Sequence, residues 1–197
     1  MKTELLCALS AAVCCCGWTE AAEPPGKQSR PSEQRIAVPT DAVRIDDGDT
    51  LKIVWAAGDE EIVRILGIDT PETRHDEHDI PFDQPFGREA TAFTRSVFAM
   101  ADNVELLRAA TVDPYGRTLG YVYVNGKNFS VVILRAGLAV ESVSAFGDNG
   151  FPQQAAECVE AAKAAGPVPF EPPHLFRKRM RAVAERMRAD GLLPPKP

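Results

Sequence analysis

The sequence predicts an α+β domain that is mainly β. Its centre is a small closed barrel of about five short strands, with two to three helices packed on it and a helical extension at the C-terminal end. Three observations carry this. Short apolar, β-branched runs broken by Asp/Gly turns fill residues 41–68. A second strand group, residues 103–124, follows after a single amphipathic helix. The remaining helical patterns come late in the chain rather than alternating with strands, and no Walker loop or dinucleotide glycine fingerprint occurs, which argues against a parallel α/β sheet.

Taken in order, "AVRI", "TLKIVWA" and "EIVRILGI" read as three strands joined at "DDGD" and "AAGDE". The stretch "DTPETRHDEHDIPFDQPF" carries prolines and charges that forbid a regular element, so it is a long loop. "GREATAFTRSVFAMA" places Ala90, Phe93, Val97 and Met100 at helical spacing. "NVELLRA" and "TLGYVYV" continue the sheet around the loop "TVDPYGR", and Asn125-Gly126 signals a tight turn. "FSVVILRAG" reads as a short helix closed by Gly137, "LAVESV" as a last extended piece, and "PQQAAECVEAAKAAG" as a helix ending at Gly166.

The ends of the chain differ from this body. Lys2 followed by the uncharged "LLCALSAAVCCCGW" reads as a signal peptide, too short to span a bilayer comfortably, with cleavage after Ala21 or Ala22. The expectation is export, to a periplasm or outside the cell. The cysteine cluster leaves lipid anchoring as the alternative, and only that would bring the protein to a membrane. Residues 22–38, rich in Pro, Ser and charge, read as a flexible lead-in, which sets the domain at 39–166. Residues 167–197 form a proline-rich hinge and a basic helix with Phe176, Met180, Val183, Ala184 and Met187 in one stripe.

With 45% hydrophobic and 25% charged residues, the 197-residue chain has the composition of a soluble globular protein. Four of its five cysteines lie in the signal segment, so Cys158 has no partner for an internal disulfide and reads as a small apolar residue on a helix. Net charge is −6, yet residues 174–197 hold seven Lys/Arg against Glu185 and Asp190, leaving the rest at −11. So acidic a body opposes nonspecific duplex binding through phosphate neutralisation, while permitting a local pocket for one phosphate.

Within the acidic body, "RILGIDTPET" (64–73) sets a guanidinium among strand residues and two carboxylates at the strand exit. Burying Arg64 unpaired would cost several kcal/mol, so it requires an anion, either a structural carboxylate or a bound one. The hairpin turn centres near Ala57 and Gly58, which puts residue 49 opposite roughly residue 66. Asp49 and Asp69 then fall near the same end, about 10 Å apart at ~3.4 Å per residue. Together with a backbone carbonyl such as that of Thr70, they would make a hard oxygen site for Ca²⁺ or Mg²⁺. The same aspartates also suit plain turn formation. His75 and His78 in the long loop admit either a metal site or a polar loop, and no third ligand accompanies them.

Five blocks, "DGDT" (47–50), "VRILGIDTPE" (63–72), "GREATAFT" (87–94), "DPYGR" (113–117) and "LRAGLA" (134–139), occur in the order seen in the staphylococcal (micrococcal) nuclease family. The resemblance covers roughly residues 41–165. It implies a five-stranded OB-type barrel and a sugar-nonspecific, Ca²⁺-dependent phosphodiesterase that acts on DNA and RNA and leaves 3′-phosphate ends. Carried over by position, Asp49, Asp69 and the Thr70 carbonyl resemble the ligands of one calcium ion. Glu72 resembles the residue that activates or positions the attacking water. Arg64 and Arg117 resemble the pair gripping the scissile phosphate, Tyr115 a phosphate neighbour, and Asp47 a residue behind the ligands. Where the family's type member carries a second tyrosine beside the base, this chain has Val143 and Ser144, with Phe146 near.

The expectation is therefore a monomeric nuclease with no obligate protein partner, acting on single-stranded or locally open DNA and RNA. The alternatives are a non-catalytic nucleic-acid-binding module on the same barrel and a hydrolase of some other phosphodiester. For the C-terminal helix three readings stand: docked on the barrel, following nucleic acid, or lying on a membrane surface.

Overall fold

The computed structural model describes residues 26–196, so the expected signal segment lies outside the described residues. β2 (Val43–Ile45), β3 (Thr50–Ala56) and β4 (Asp59–Ile65) form an antiparallel meander with Val43 opposite Ile53 and Thr50 opposite Arg64. Strand periodicity puts Leu51, Ile53, Val63 and Ile65 inside, while Lys52, Val54, Ile62 and Arg64 face outward. Gly67, at φ 81°, turns the chain into the two-residue β5 (Ile68–Asp69).

The long loop follows, and α1 (Gly87–Ala99) leads from it to β6 (Val104–Val112) and β7 (Thr118–Val124). Asn125 and Gly126 both have positive φ and make the tight turn to β8 (Lys127–Asn128), which pairs with β7. Asn128 then caps α2 (Phe129–Arg135), its side chain accepting from the Ser130 N–H at 3.1 Å. β9 (Val140–Glu141) pairs with β5, and α3 (Val143–Phe146), α4 (Pro152–Ala165) and α5 (Pro173–Ala189) complete the chain. With β1 (Arg35–Val38), the main sheet runs β1-β6-β7-β4-β3-β2. It is the curled sheet of an OB-type fold, with β4 and β7 parallel at its centre.

One core fills the curl. Leu51, Val63, Leu106, Val122, Phe129 and Ile133 are fully enclosed, and Cys158 joins them from α4. Burial pushes the Cys158 thiol up to about 12, which suits an inert packing residue. Among the described residues no helix is long and apolar enough to cross a membrane.

The structure departs from the sequence reading at three places. From Gly26 onward the lead-in is tied to the sheet: Gln28 and Glu33 donate to the carbonyls of Ala110 and Arg108, and β1 pairs with β6. Polar composition hid this because residues 26–34 pair through main-chain groups and the apolar side chains that follow, Ile36 and Val38, make only a short run. β6 runs on to Val112 through residues read as loop. Met100 is 72% exposed at the end of α1, and the fourth inward position goes to Thr94, whose hydroxyl donates to the Gly48 and Ala90 carbonyls.

Candidate active site

The turn "DDGD" builds the first wall. One Asp47 carboxylate oxygen accepts from the main-chain N–H of Asp49 (3.0 Å) and of Thr50 (2.7 Å), fixing the direction in which Asp49 leaves the backbone. Gly48 is required by close approach: a Cβ there would lie 2.6 Å from the Thr70 hydroxyl. That proximity lets one Asp49 oxygen accept from both Thr70 N–H (2.7 Å) and Thr70 Oγ1 (2.9 Å). Asp49 and Asp69 are each 5% exposed and Thr70 is 3% exposed.

β4 and β5 bring the second wall. Strand register places Thr50 opposite Arg64, and Ile65 N–H donates to the Asp49 carbonyl, one position from the expected pairing of 49 with 66. The turn at Gly67 and the pairing of β5 with β9 swing Asp69 back over Arg64, closing the 10 Å gap that a straight hairpin would leave. Arg64 bridges the two aspartates. It forms an ion pair with Asp49, and its Nη2 donates to Asp69 Oδ1 at 2.9 Å and to the Ile68 carbonyl at 3.3 Å. Burial pushes the guanidinium down from its ordinary value and Asp69 and Asp47 oppose this, while Arg117 and Arg177 push it down further.

Glu72 stands beside this pair on a rigid main chain. Its N–H donates to Gln84 Oε1 (3.1 Å), its carbonyl accepts from Gln84 N–H (2.8 Å), and a Cβ at Gly87 would collide with that carbonyl. Burial raises the Glu72 carboxyl above its ordinary value; Arg177 opposes this, and Asp69 and Asp47 add to it. Arg64 does not pair with Glu72. The partner of Glu72 is Arg177, on α5.

Arg117 comes from the β6–β7 turn. Arg64 lies opposite Leu119 across the parallel pair, so Arg117 stands two positions before that partner. Its Nε donates to Asp113 Oδ2 at 2.7 Å, and its guanidinium lies 5.6 Å from the Tyr115 ring centre. Tyr115 is 83% exposed. Arg117 is therefore close enough to act on Arg64 electrostatically, while its own ion pair is with Asp113. The Arg64, Asp49, Asp69, Thr70 and Asp47 cluster is contiguous, Glu72 joins it through Arg177, and Arg117 and Tyr115 line its edge.

Sequence reasoning missed Gln84, Thr94 and Arg177. Gln84 and Thr94 act through main-chain groups far away in the chain, and a basic helix gives no signal that one of its arginines turns inward. His75 and His78 lie with ring centres 5.6 Å apart, and among the described residues no three His, Cys, Asp or Glu side chains group as a metal site. A divalent ion would thus draw on two carboxylates, a main-chain oxygen and water, a donor set of hard oxygens that suits Ca²⁺. The local charge agrees. Asp47, Asp49, Asp69 and Glu72 face Arg64 and Arg177, a surplus of two negative charges.

Fold and site together define an OB-type domain with an acidic, arginine-bridged cluster at one rim of the sheet. The family model described as staphylococcal nuclease homologue matches residues 62–166, and the chain belongs to that family. Endonuclease YncB of Bacillus subtilis (strain 168) is 36% identical over 97 residues, which make up 49% of this chain and 44% of that protein. The thermonuclease of Staphylococcus intermedius is 38% identical over 97 residues, 49% of this chain and 55% of that protein. The chain thus matches about half the length, or less, of these curated relatives.

Proposed function

We propose that the protein is a nuclease that hydrolyses phosphodiester bonds of DNA and RNA with the help of one calcium ion, leaving 3′-phosphate ends. The observation that supports it most is the convergence of Asp49, from the turn before β3, with Arg64, Asp69 and Glu72, from the stretch 64–72, on one partly covered spot. The names of the relatives, endonuclease and thermonuclease, support the nuclease part of this reading.

In this reading Asp49, Asp69 and the Thr70 carbonyl would hold the ion, and Asp47 keeps Asp49 aimed. When bound, calcium acts as a Lewis acid and template for the phosphate. Arg64, planar and already desolvated, grips two equatorial phosphate oxygens and stabilises the charge that grows there. Arg117, whose charge already acts on Arg64, leaves Asp113 for the same group. Glu72 takes the proton of the attacking water, and the raised affinity of its carboxylate for protons suits that task. The water oxygen bonds to phosphorus as the P–O5′ bond breaks, and the departing 5′-oxygen takes a proton from solvent, which leaves the phosphate on the 3′-oxygen. Tyr115, exposed beside Arg117, flanks the phosphate.

Cleavage of denatured DNA is expected with calcium present and to cease when EGTA is added, followed on a gel. The product ends should resist 3′ extension until treated with phosphatase. Binding that shifts the DNA without cutting it, with calcium present, would instead assign a non-catalytic binding module.

A further inference from the structure

α5 lies beyond the matched segment 62–166, yet it reaches the centre of the site. Arg177 Nη1 donates to Asp69 Oδ1 at 3.0 Å, Nη2 donates to Asp69 Oδ2 at 2.9 Å, and Nη1 also donates to Glu72. Both oxygens of Asp69 are thereby engaged, one of them doubly, since Arg64 shares Oδ1. An oxygen-seeking ion bound at Asp69 has to take at least one of these oxygens from a guanidinium. Arg64 stands on β4 in the main sheet, and its guanidinium spans Asp49 and Asp69. Arg177 comes from outside that sheet: α5 is held by a small apolar cluster of its own, Phe176 and Met180 against Ile80 with Val183 alongside, separate from the main core. Polar ties add to it, Arg188 to Asp79 at 2.6 Å and Gln84 to the Glu171 carbonyl. Every one of these ties grips the loop that follows Glu72.

We propose that Arg177 is an internal cation that competes with the metal ion for Asp69 and Glu72, so that α5 sets the affinity of the site for calcium. The inference rests on the calcium reading given above. Without the ion, the guanidinium neutralises two carboxylates that would otherwise repel each other. With it, the side chain gives way, and the carboxylate of Glu72 becomes free to face water. The competition lowers apparent affinity by the fraction of molecules in which Arg177 is engaged. It also gives the basic helix a role distinct from following nucleic acid, because one turn of it points into the site rather than along a surface.

Calorimetric titration with CaCl₂ alone, without nucleic acid, tests this in the full chain. Arg177→Met is expected to bind calcium at least tenfold more tightly than wild type, about 1.4 kcal/mol. Arg177→Lys, which keeps the charge but loses the two-pronged grip, should fall between them. Arg181→Met, on the exposed side of the same helix, should match wild type. Calcium binding of equal or lower strength in Arg177→Met would overturn the competition and leave the calcium reading standing. Absence of calcium binding in both wild type and Arg177→Met would remove the calcium reading and the proposal together.

Discussion

Replacing Glu72 with serine is expected to lower turnover on denatured DNA by about 10³-fold, the range a positioned general base supplies, with the melting temperature close to that of wild type. The side chain stands at the site rather than in the barrel core, and its one ion pair is with Arg177. Its removal costs the fold little, because Gln84 and Gly87 hold the main chain at this point without it. The pH profile carries the same claim. Burial raises the Glu72 carboxyl above its ordinary value, so the basic form is lost at higher pH than for an exposed glutamate. Turnover should fall as pH drops through that raised value, and the serine variant should lack that limb. A variant cutting at near wild-type rate would refute the role of Glu72.

The largest effect on stability is expected away from the site, at Arg108. Arg108 is 2% exposed, and its Nε and Nη2 donate to the two oxygens of Glu61, each at 2.7 Å. Thr118 Oγ1 (2.7 Å) and Trp55 Nε1 (2.8 Å) donate to the same carboxylate, and Arg108 Nη1 donates to the Pro31 carbonyl at 3.1 Å. Replacing Arg108 with methionine keeps the apolar stem and leaves Glu61 buried with only the more distant Arg30, at 3.7 Å, as a cation, which costs about 3 kcal/mol. Urea unfolding should show this as a lower midpoint with an unchanged slope. Burial alone would raise the Glu61 carboxyl, but Arg108, Thr118 and Trp55 together hold it below its ordinary value of 4.5. A lowered value means the stabilisation is complete above the unfolded value and is lost as pH falls through the folded one. Wild type should therefore weaken in acid below about pH 4.5 more steeply than the methionine variant. A stability loss under 1 kcal/mol would show that the network is dispensable.

The two networks mark what a linear reading can and cannot reach. Strand alternation, the Asp47–Gly48–Asp49 turn and the hairpin are local, and local spacing carried them to within one residue of register. The meeting of Asp49 with Asp69 needed the bend at Gly67, which a straight-strand estimate lacks. Glu61 and Arg108 are 47 residues apart, and Glu72 and Arg177 are 105 apart. Nothing in the periodicity of either segment specifies its distant partner. Charge alone left the place of α5 open between the barrel, nucleic acid and a membrane surface, and it did not single out Arg177, which is turned inward, or Arg188, which grips Asp79. β1 was hidden for a different reason: Ile36 and Val38 do pack on the core, but four residues are too short an apolar run to stand out at the end of a polar lead-in. Gly48 and Gly87 were visible as members of sequence blocks, but the need for them is spatial, the Thr70 side chain and the Glu72 carbonyl.

The measurement that bears most directly on the account is a crystal structure with calcium and a short oligonucleotide carrying an uncleavable phosphodiester analogue. The expected result is one ion ligated by Asp49 and Asp69, the phosphate between Arg64 and Arg117, and Arg177 withdrawn from Asp69. An ion bound elsewhere, or a phosphate beyond the reach of both Arg64 and Arg117, would contradict it.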